Sequence, residues 1–251
     1  MITGNEVAPT STVLQARVAL FQPSQRPKML DDQVIKTKYG ESTIKGRLGQ
    51  RHADILEALL FCAEKKREIS DGGIELLVDP AQVRKVLSDS RYSYEQIEKL
   101  LAELRAATIT IRVEHLDFPI IGGLIDHVVP SQMTRHDPLS GGERNLWRVR
   151  LGIALVTLLE NDLSLYYKPA PLARLKHGVS QAVARHVLTH KNTPAGGWQL
   201  DTLIKAVCGD NASSQEIRNG RRRLKDDAEK LLELGIHLDE NNRVKRATTA
   251  R

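Results

Sequence analysis

The chain has 251 residues and a net charge of +6, and it is 41% hydrophobic with 4% aromatic residues. That length holds one large domain or two small ones, with the apolar fraction of a water-soluble globular protein. No run of about 18 apolar residues is present, which argues against a membrane-spanning helix, and the two cysteines, Cys62 and Cys208, lack the CxxC spacing of a structural zinc or thioredoxin-like centre.

Residues 1–12 are polar and expected to be disordered. They contain no apolar signal core, so a cytoplasmic protein with free, buried thiols in apolar helical contexts is expected. Residues 14–21 form a mildly amphipathic stripe, too short to stand alone as a helix and read as packing on the first domain. Residues 33–39 and 42–48 alternate as a strand pair that turns near Gly40. The spacing predicts a helix over 50–67, with Ile55, Leu56, Leu59, Leu60, Cys62 and Ala63 on its apolar face. A short strand over 74–78 leads into Asp79-Pro80, an N-cap with proline in the first turn, which opens a helix to about residue 88.

Ser93 caps the next helix, 94–107, and Gln96 completes a capping box. Val83, Val86 and Leu87 should pack against Ile97, Leu100, Leu101 and Leu104. The β-branched run 108–113 reads as a strand, and 120–129 and 145–151 continue the sheet. Two short helices leading into a β-hairpin are the order of a winged helix.

Lys168-Pro169-Ala170-Pro171 interrupts regular structure, and the pattern then repeats. It gives a helix over 179–190, a strand over 198–200, and a helix over 202–207 capped by Asp201 and ended by Cys208-Gly209-Asp210. A long helix capped by Ser213 or Ser214 runs to Leu234, where Gly235 stops it. Residues 236–238 and 243–245 flank Asp239-Glu240-Asn241-Asn242 as a second hairpin wing. The fold expected is α+β, two winged-helix domains in tandem. A flexible segment 1–29 precedes an N-terminal domain 30–168, which is followed by a C-terminal domain 169–251 with a basic tail.

Within that last helix Arg218, Arg221, Arg222 and Lys225 fall at i, i+3, i+4 and i+7 and share a face. Ile217, Leu224, Ala228 and Leu231 form a second stripe suited to burial. Guanidinium groups fork onto guanine or phosphate oxygens, so this helix suits a DNA groove. Residues 170–251 hold 15 Lys/Arg against 9 Asp/Glu, whereas residues 1–169 hold 22 of each. The net positive charge thus lies in the last third, a field that attracts polyanions. The competing reading is a solvated charged face, since Asp226, Asp227 and Glu229 follow at once.

Three signals of other chemistry fail. Leu139-Ser140-Gly141-Gly142-Glu143 looks like an ABC-ATPase signature, but no GxxxxGK[ST] accompanies it, so it reads as a Gly-rich hairpin loop. His186 and His190 are four apart, but without an HExxH glutamate or a third ligand they read as exposed or DNA-facing, not as a metal site. Tyr166-Tyr167 lacks the metal or base that a tyrosine nickase needs and reads as packing at the domain junction. No catalytic residue and no cofactor is expected, and the chain does not read as an enzyme.

Two segments together resemble the TrfA- and RepC-type initiators of plasmid replication. One is Ala16-Arg17-Val18-Ala19-Leu20-Phe21 with the Lys/Arg-Pro stretch, strand pair and Leu56-Glu57-Ala58 that follow. The other runs from Arg185-His186-Val187-Leu188 through Trp198-Gln199-Leu200-Asp201-Thr202-Leu203 and Val207-Cys208-Gly209. It closes with Arg221-Arg222-Arg223-Leu224-Lys225 and Leu231-Leu232-Glu233-Leu234-Gly235. The likeness covers most of residues 16–240 in pattern and spacing. It implies binding to directly repeated sites (iterons) at a plasmid origin, melting of adjacent AT-rich DNA, and the host initiator and replicative helicase as partners. It also implies an N-terminal domain that makes auxiliary contact with flanking DNA backbone and supplies a homodimer interface. Carried over, Arg218, Arg221, Arg222 and Lys225, with Ser213 and Ser214 at the helix start, would meet the duplex. Arg243, Lys245 and Arg246 of the second wing would touch phosphates. The helix over 94–105 departs from the pattern: Glu95, Gln96, Glu98 and Glu103 outweigh Lys99 and Arg105, which suits packing or dimerisation. The alternative function is a winged-helix transcriptional regulator, an autorepressor of a plasmid or mobile element, because fold alone does not separate the two.

Overall fold

The computed structural model describes residues 9–87, 92–114, 116–136 and 141–247. Strand β1 (Ser11–Thr12) and helix α1 (Val13–Arg17) lead to the hairpin β2 (Leu30–Thr37) and β3 (Gly40–Gly46). Helix α2 (Gln50–Phe61), strands β4 (Ala63–Glu68) and β5 (Ile74–Val78), and helices α3 (Pro80–Val86) and α4 (Tyr94–Ala106) follow. Then come β6 (Thr108–Arg112), β7 (Ile120–Gly122) and the long hairpin β8 (Ile125–His136) and β9 (Glu143–Leu151). Helix α5 (Ile153–Asn161), strand β10 (Ser164–Leu165) and the one-turn α6 (Ala170–Ala173) connect to α7 (Gly178–Leu188). The last elements are β11 (Trp198–Gln199), α8 (Leu200–Cys208), α9 (Ser214–Asp226), α10 (Ala228–Leu232), β12 (Ile236–Leu238) and β13 (Arg243–Arg246).

The architecture is α+β, with antiparallel sheets ordered β2-β3-β6-β7, β4-β5-β9-β8, β11-β13-β12 and β1-β10. One arrangement occurs twice. In β5-β9-β8, helices α3 and α4 and then strands β6 and β7 separate the first strand from the hairpin; in β11-β13-β12, helices α8, α9 and α10 do; in both, the hairpin's last strand returns to sit beside the first strand. Buried apolar side chains form two clusters, one spanning Leu14 to Ala173 and one spanning Leu172 to Val244. Val83, Leu87, Ile97, Leu100, Leu101 and Leu104 share the first, with Val86 packed against it.

Local chemistry explains the helix starts. The Asp79 carboxylate accepts the Ala81 N–H at 2.9 Å, with Pro80 opening α3. Ser93 Oγ accepts the Gln96 N–H at 3.2 Å, and Gln96 Oε1 accepts the Ser93 N–H at 3.3 Å. The helix expected over 50–67 stops at Phe61, because the apolar stripe ends there. Its polar remainder pairs as β4 with β5 instead. The expected long helix to Leu234 breaks at Asp227, whose carboxylate accepts the N–H groups of Lys176 and His177 at 2.8 and 3.0 Å. The α8 cap falls on Gln199, and Asp201 sits in the first turn. Residues 9–29 are not a flexible arm. Thr10, Ser11 and Thr12 are buried, β1 pairs with β10, and Val18, Leu20 and Phe21 enter the first core. Residues 1–8 and 88 lie outside the described residues, as do Leu139 and Ser140. Gly141, at φ +70°, precedes β9 in the hairpin connection. Cys62 and Cys208 are free and half-buried, and Cys62 lies just past the end of α2. Burial pushes their thiols up to about 12 and about 11.

The two cores meet across a polar seam, which fixes α7 against α2. Arg185 on α7 donates to Asp54 Oδ1 at 2.6 Å and to Gln50 Oε1 at 2.7 Å. Gln181 Nε2 donates to Asp54 Oδ2 at 2.9 Å, and the hydroxyls of Tyr92 and Tyr167 donate to Asp54 and Glu57 at 2.5 and 2.6 Å. Asp54 and Gln181 are completely buried, so each polar atom in the seam needs a hydrogen-bond partner. Tyr167 thus packs at the junction, whereas Tyr166 is exposed.

Candidate nucleic-acid interface

The second core sets the orientation of α9. Helix α8 buries Leu200, Leu203, Ile204 and Val207 and ends on Gly209, whose φ of +93° suits a residue without Cβ. Four residues later Ser213 starts α9: its Oγ accepts the Glu216 N–H at 3.2 Å, and Glu216 Oε2 accepts the Ser213 N–H at 2.8 Å. The Ser213 hydroxyl also donates to that carboxylate, so Ser213 serves the cap, while Ser214 is exposed beside it. These bonds hold the Glu216 carboxyl below its ordinary range.

Gly220 lets α9 lie close on α8. A Cβ there would stand 3.0–3.2 Å from three carbons of Ile204. With Gly220 and Leu224 buried, the opposite face of α9 points outward and carries Arg218, Arg221, Arg222 and Lys225, all exposed. Four residues expected on sequence to share a face do so, but they differ in freedom. Arg221 forks onto the Asp201 carboxylate of α8, which depresses the Asp201 carboxyl and raises the guanidinium. Arg218 donates to the neutral Gln215 amide oxygen. Arg222 and Lys225 form no ion pair among the described residues, and neither does the exposed Arg223, which the sequence reading left out. Two of the three acids that follow the ridge turn away from it. Asp227 is buried at the start of α7, and Asp226 turns to His177 at 3.2 Å.

The hairpin β12–β13 follows α10, against which β12 packs. The Asp239 carboxylate accepts the N–H groups of Asn241 and Arg243 at 3.0 and 2.9 Å, and Asn242 takes φ +56°. Val244 is buried and Lys245 is exposed. Arg243 is half-buried and donates to Gly196 O at 3.2 Å. Arg246 turns inward, donating to the carbonyls of Leu188 and His190 at 3.3 and 2.6 Å, so it closes the end of α7. Of the three wing cations, Lys245 alone is fully presented.

His186 is not exposed. It is buried in a ring ladder with Tyr39 at 5.8 Å and His190 at 5.1 Å, and Trp198 adjoins His190 at 5.3 Å. Burial, reinforced by His190, Arg17 and Lys38, holds the His186 ring down to about 3, which keeps it neutral. Among the described residues no cluster of His, Cys, Asp or Glu is arranged to hold a metal, and no helix is long and apolar enough to cross a membrane. On α4, Glu95 and Glu98 stand exposed, so this helix presents acid where α9 presents base.

No protein-family model matches the chain, and comparison with curated proteins and with solved structures gives no match.

Proposed function

We propose that the chain is a non-enzymatic, sequence-specific double-stranded-DNA-binding protein, built as two winged-helix domains in tandem over residues 30–168 and 169–251. It acts at a plasmid origin in the bacterial cytoplasm, binding direct repeats to initiate replication. The observation that carries DNA binding is the open ridge of Arg218, Arg222 and Lys225. It lies on a helix whose other face is packed, with Asp226 turned to His177 and Asp227 to the start of α7. The twice-used return of a hairpin strand to a strand that precedes the intervening helices, with β6 and β7 inserted in the first case, supports the winged-helix reading. Initiation, the homodimer, and the host initiator and helicase as partners rest on the resemblance to TrfA- and RepC-type proteins.

Footprinting on the DNA that flanks the chain's own gene, combined with permanganate probing, tests this. The proposal expects several direct repeats to be protected and an adjacent AT-rich segment to become reactive. One protected inverted repeat in a closed duplex would replace initiation with the transcriptional-regulator reading. No protection at all would end the DNA-binding reading.

A further inference from the structure

Residues 22–28 cross from one core to the other as a tightly held strap. The Gln50 N–H donates to Ser24 O at 2.9 Å. A Cβ on Gly49 would meet Ser24 O at 2.6 Å, and one on Gly178 would meet the Ser24 backbone at 2.6 Å, so the strap is wedged between the starts of α2 and α7. Gln25 Nε2 donates to Leu175 O and to Gln181 Oε1, at 3.1 and 3.2 Å. Gln22 closes the loop, donating to Lys28 O at 2.8 Å and accepting the Lys28 N–H at 3.1 Å. A strap fixed at this many points presents its exposed side chains in set positions.

Those side chains are Arg26 and Lys28, both exposed and without an ion pair among the described residues. They line one cleft of about 580 Å³ together with Asn219 and Arg223 of α9. The acid that also lines it, Glu216, is engaged in the Ser213 cap. Successive helical residues are turned by about 100°, so Asn219 and Arg223 sit to one side of the Arg218–Arg222–Lys225 ridge, toward the strap. A helix lying in a major groove about 12 Å wide has a phosphate ridge along each flank.

We propose that the strap and α9 form a phosphate clamp, in which Arg26, Lys28 and Arg223 hold the DNA backbone bordering the groove that α9 enters. The clamp rests on the DNA-binding reading. It adds that residues 22–28, ahead of the first β-hairpin, touch the duplex.

The test measures affinity of the full chain for a random-sequence duplex oligonucleotide across a salt series. Three double variants are compared with the unchanged protein: R26Q/K28Q, R222Q/K225Q, and K65Q/K66Q on the exposed β4, which removes the same charge elsewhere. Circular dichroism checks that each variant is folded. Each phosphate contact contributes roughly 0.9 to the log–log salt slope, so R26Q/K28Q should lower the slope by about 1.8 while K65Q/K66Q leaves it unchanged. An unchanged slope for R26Q/K28Q beside a reduced one for R222Q/K225Q would overturn the clamp and leave the DNA-binding reading standing. Equal losses for R26Q/K28Q and K65Q/K66Q would also overturn it, by assigning the effect to net charge. No loss in any variant would sink both.

Discussion

Arg185 and Glu57 meet as a forked pair, Nε to Oε1 at 2.7 Å and Nη2 to Oε2 at 2.8 Å, sealed between the two hydrophobic cores. Both side chains are buried, and the guanidinium is held charged by Glu57 and Asp54 although burial opposes it. Burial also pushes the Glu57 carboxyl upward, against the pull of Arg185. Removing Arg185 would leave two carboxylates in a dry seam. Arg185→Ala should therefore destabilise the fold by roughly 3–5 kcal/mol in urea unfolding, the cost of breaking a buried pair. A loss under about 1 kcal/mol would show that water already reaches the seam.

Gly220 places α9 on α8, and its contact is with the side chain of Ile204. A branched side chain at this position must push the helices apart. Gly220→Val should cost about 1–3 kcal/mol through overpacking and weaken DNA binding by tilting the ridge, while Gly220→Ala costs less because the Ile204 tip can move. Thermal melts with matched binding assays check both effects; equal stability for all three proteins would refute the close packing.

The buried His186 ring makes stability depend on pH. Its folded value, about 3, lies below the ordinary 6.5, so below that value the unfolded chain takes up a proton that the folded chain refuses. Stability is lost as pH falls, starting near 6.5. His186→Phe keeps a ring in the ladder and removes the titration. The unchanged protein should lose about 1.4 kcal/mol per pH unit more than this variant as pH falls below that point. Parallel curves from urea unfolding at a series of pH values would contradict the assignment.

Asp201 restrains Arg221 at the surface, where such pairs contribute roughly 0–1 kcal/mol. Asp201→Asn should therefore leave stability nearly unchanged. It should tighten binding to duplex DNA, because it frees one cation and removes a neighbouring anion. Arg222→Ala should correspondingly weaken binding more than Arg221→Ala. Weaker binding by Asp201→Asn would mean that the pair is itself the contact surface.

Much of this arrangement was legible from the chain. The capping pairs Asp79-Pro80, Ser93–Gln96 and Ser213–Glu216 act within four residues, so their chemistry is visible in the sequence, and the Arg218–Lys225 spacing gave one shared face. What was hidden depended on distant partners. The polar run 63–68 becomes a strand because β5 pairs with it, and Asp227 ends α9 because it turns to the start of α7. Arg246 resembled a phosphate ligand until the carbonyls at the end of α7 claimed it. Residues 10–12, polar in sequence, are buried because they pair with β10, a partner far along the chain. Helix α5 was missed because its apolar run has no periodic polar face.

The central claim is that the outward face of α9 enters a DNA duplex. Its most direct measurement is the affinity of R218A/R222A/K225A for the repeats found by footprinting, with circular dichroism confirming the fold. The account predicts loss of specific binding and a salt slope reduced by about 0.9 for each cation that meets a phosphate. Affinity and slope equal to those of the unchanged protein would contradict it.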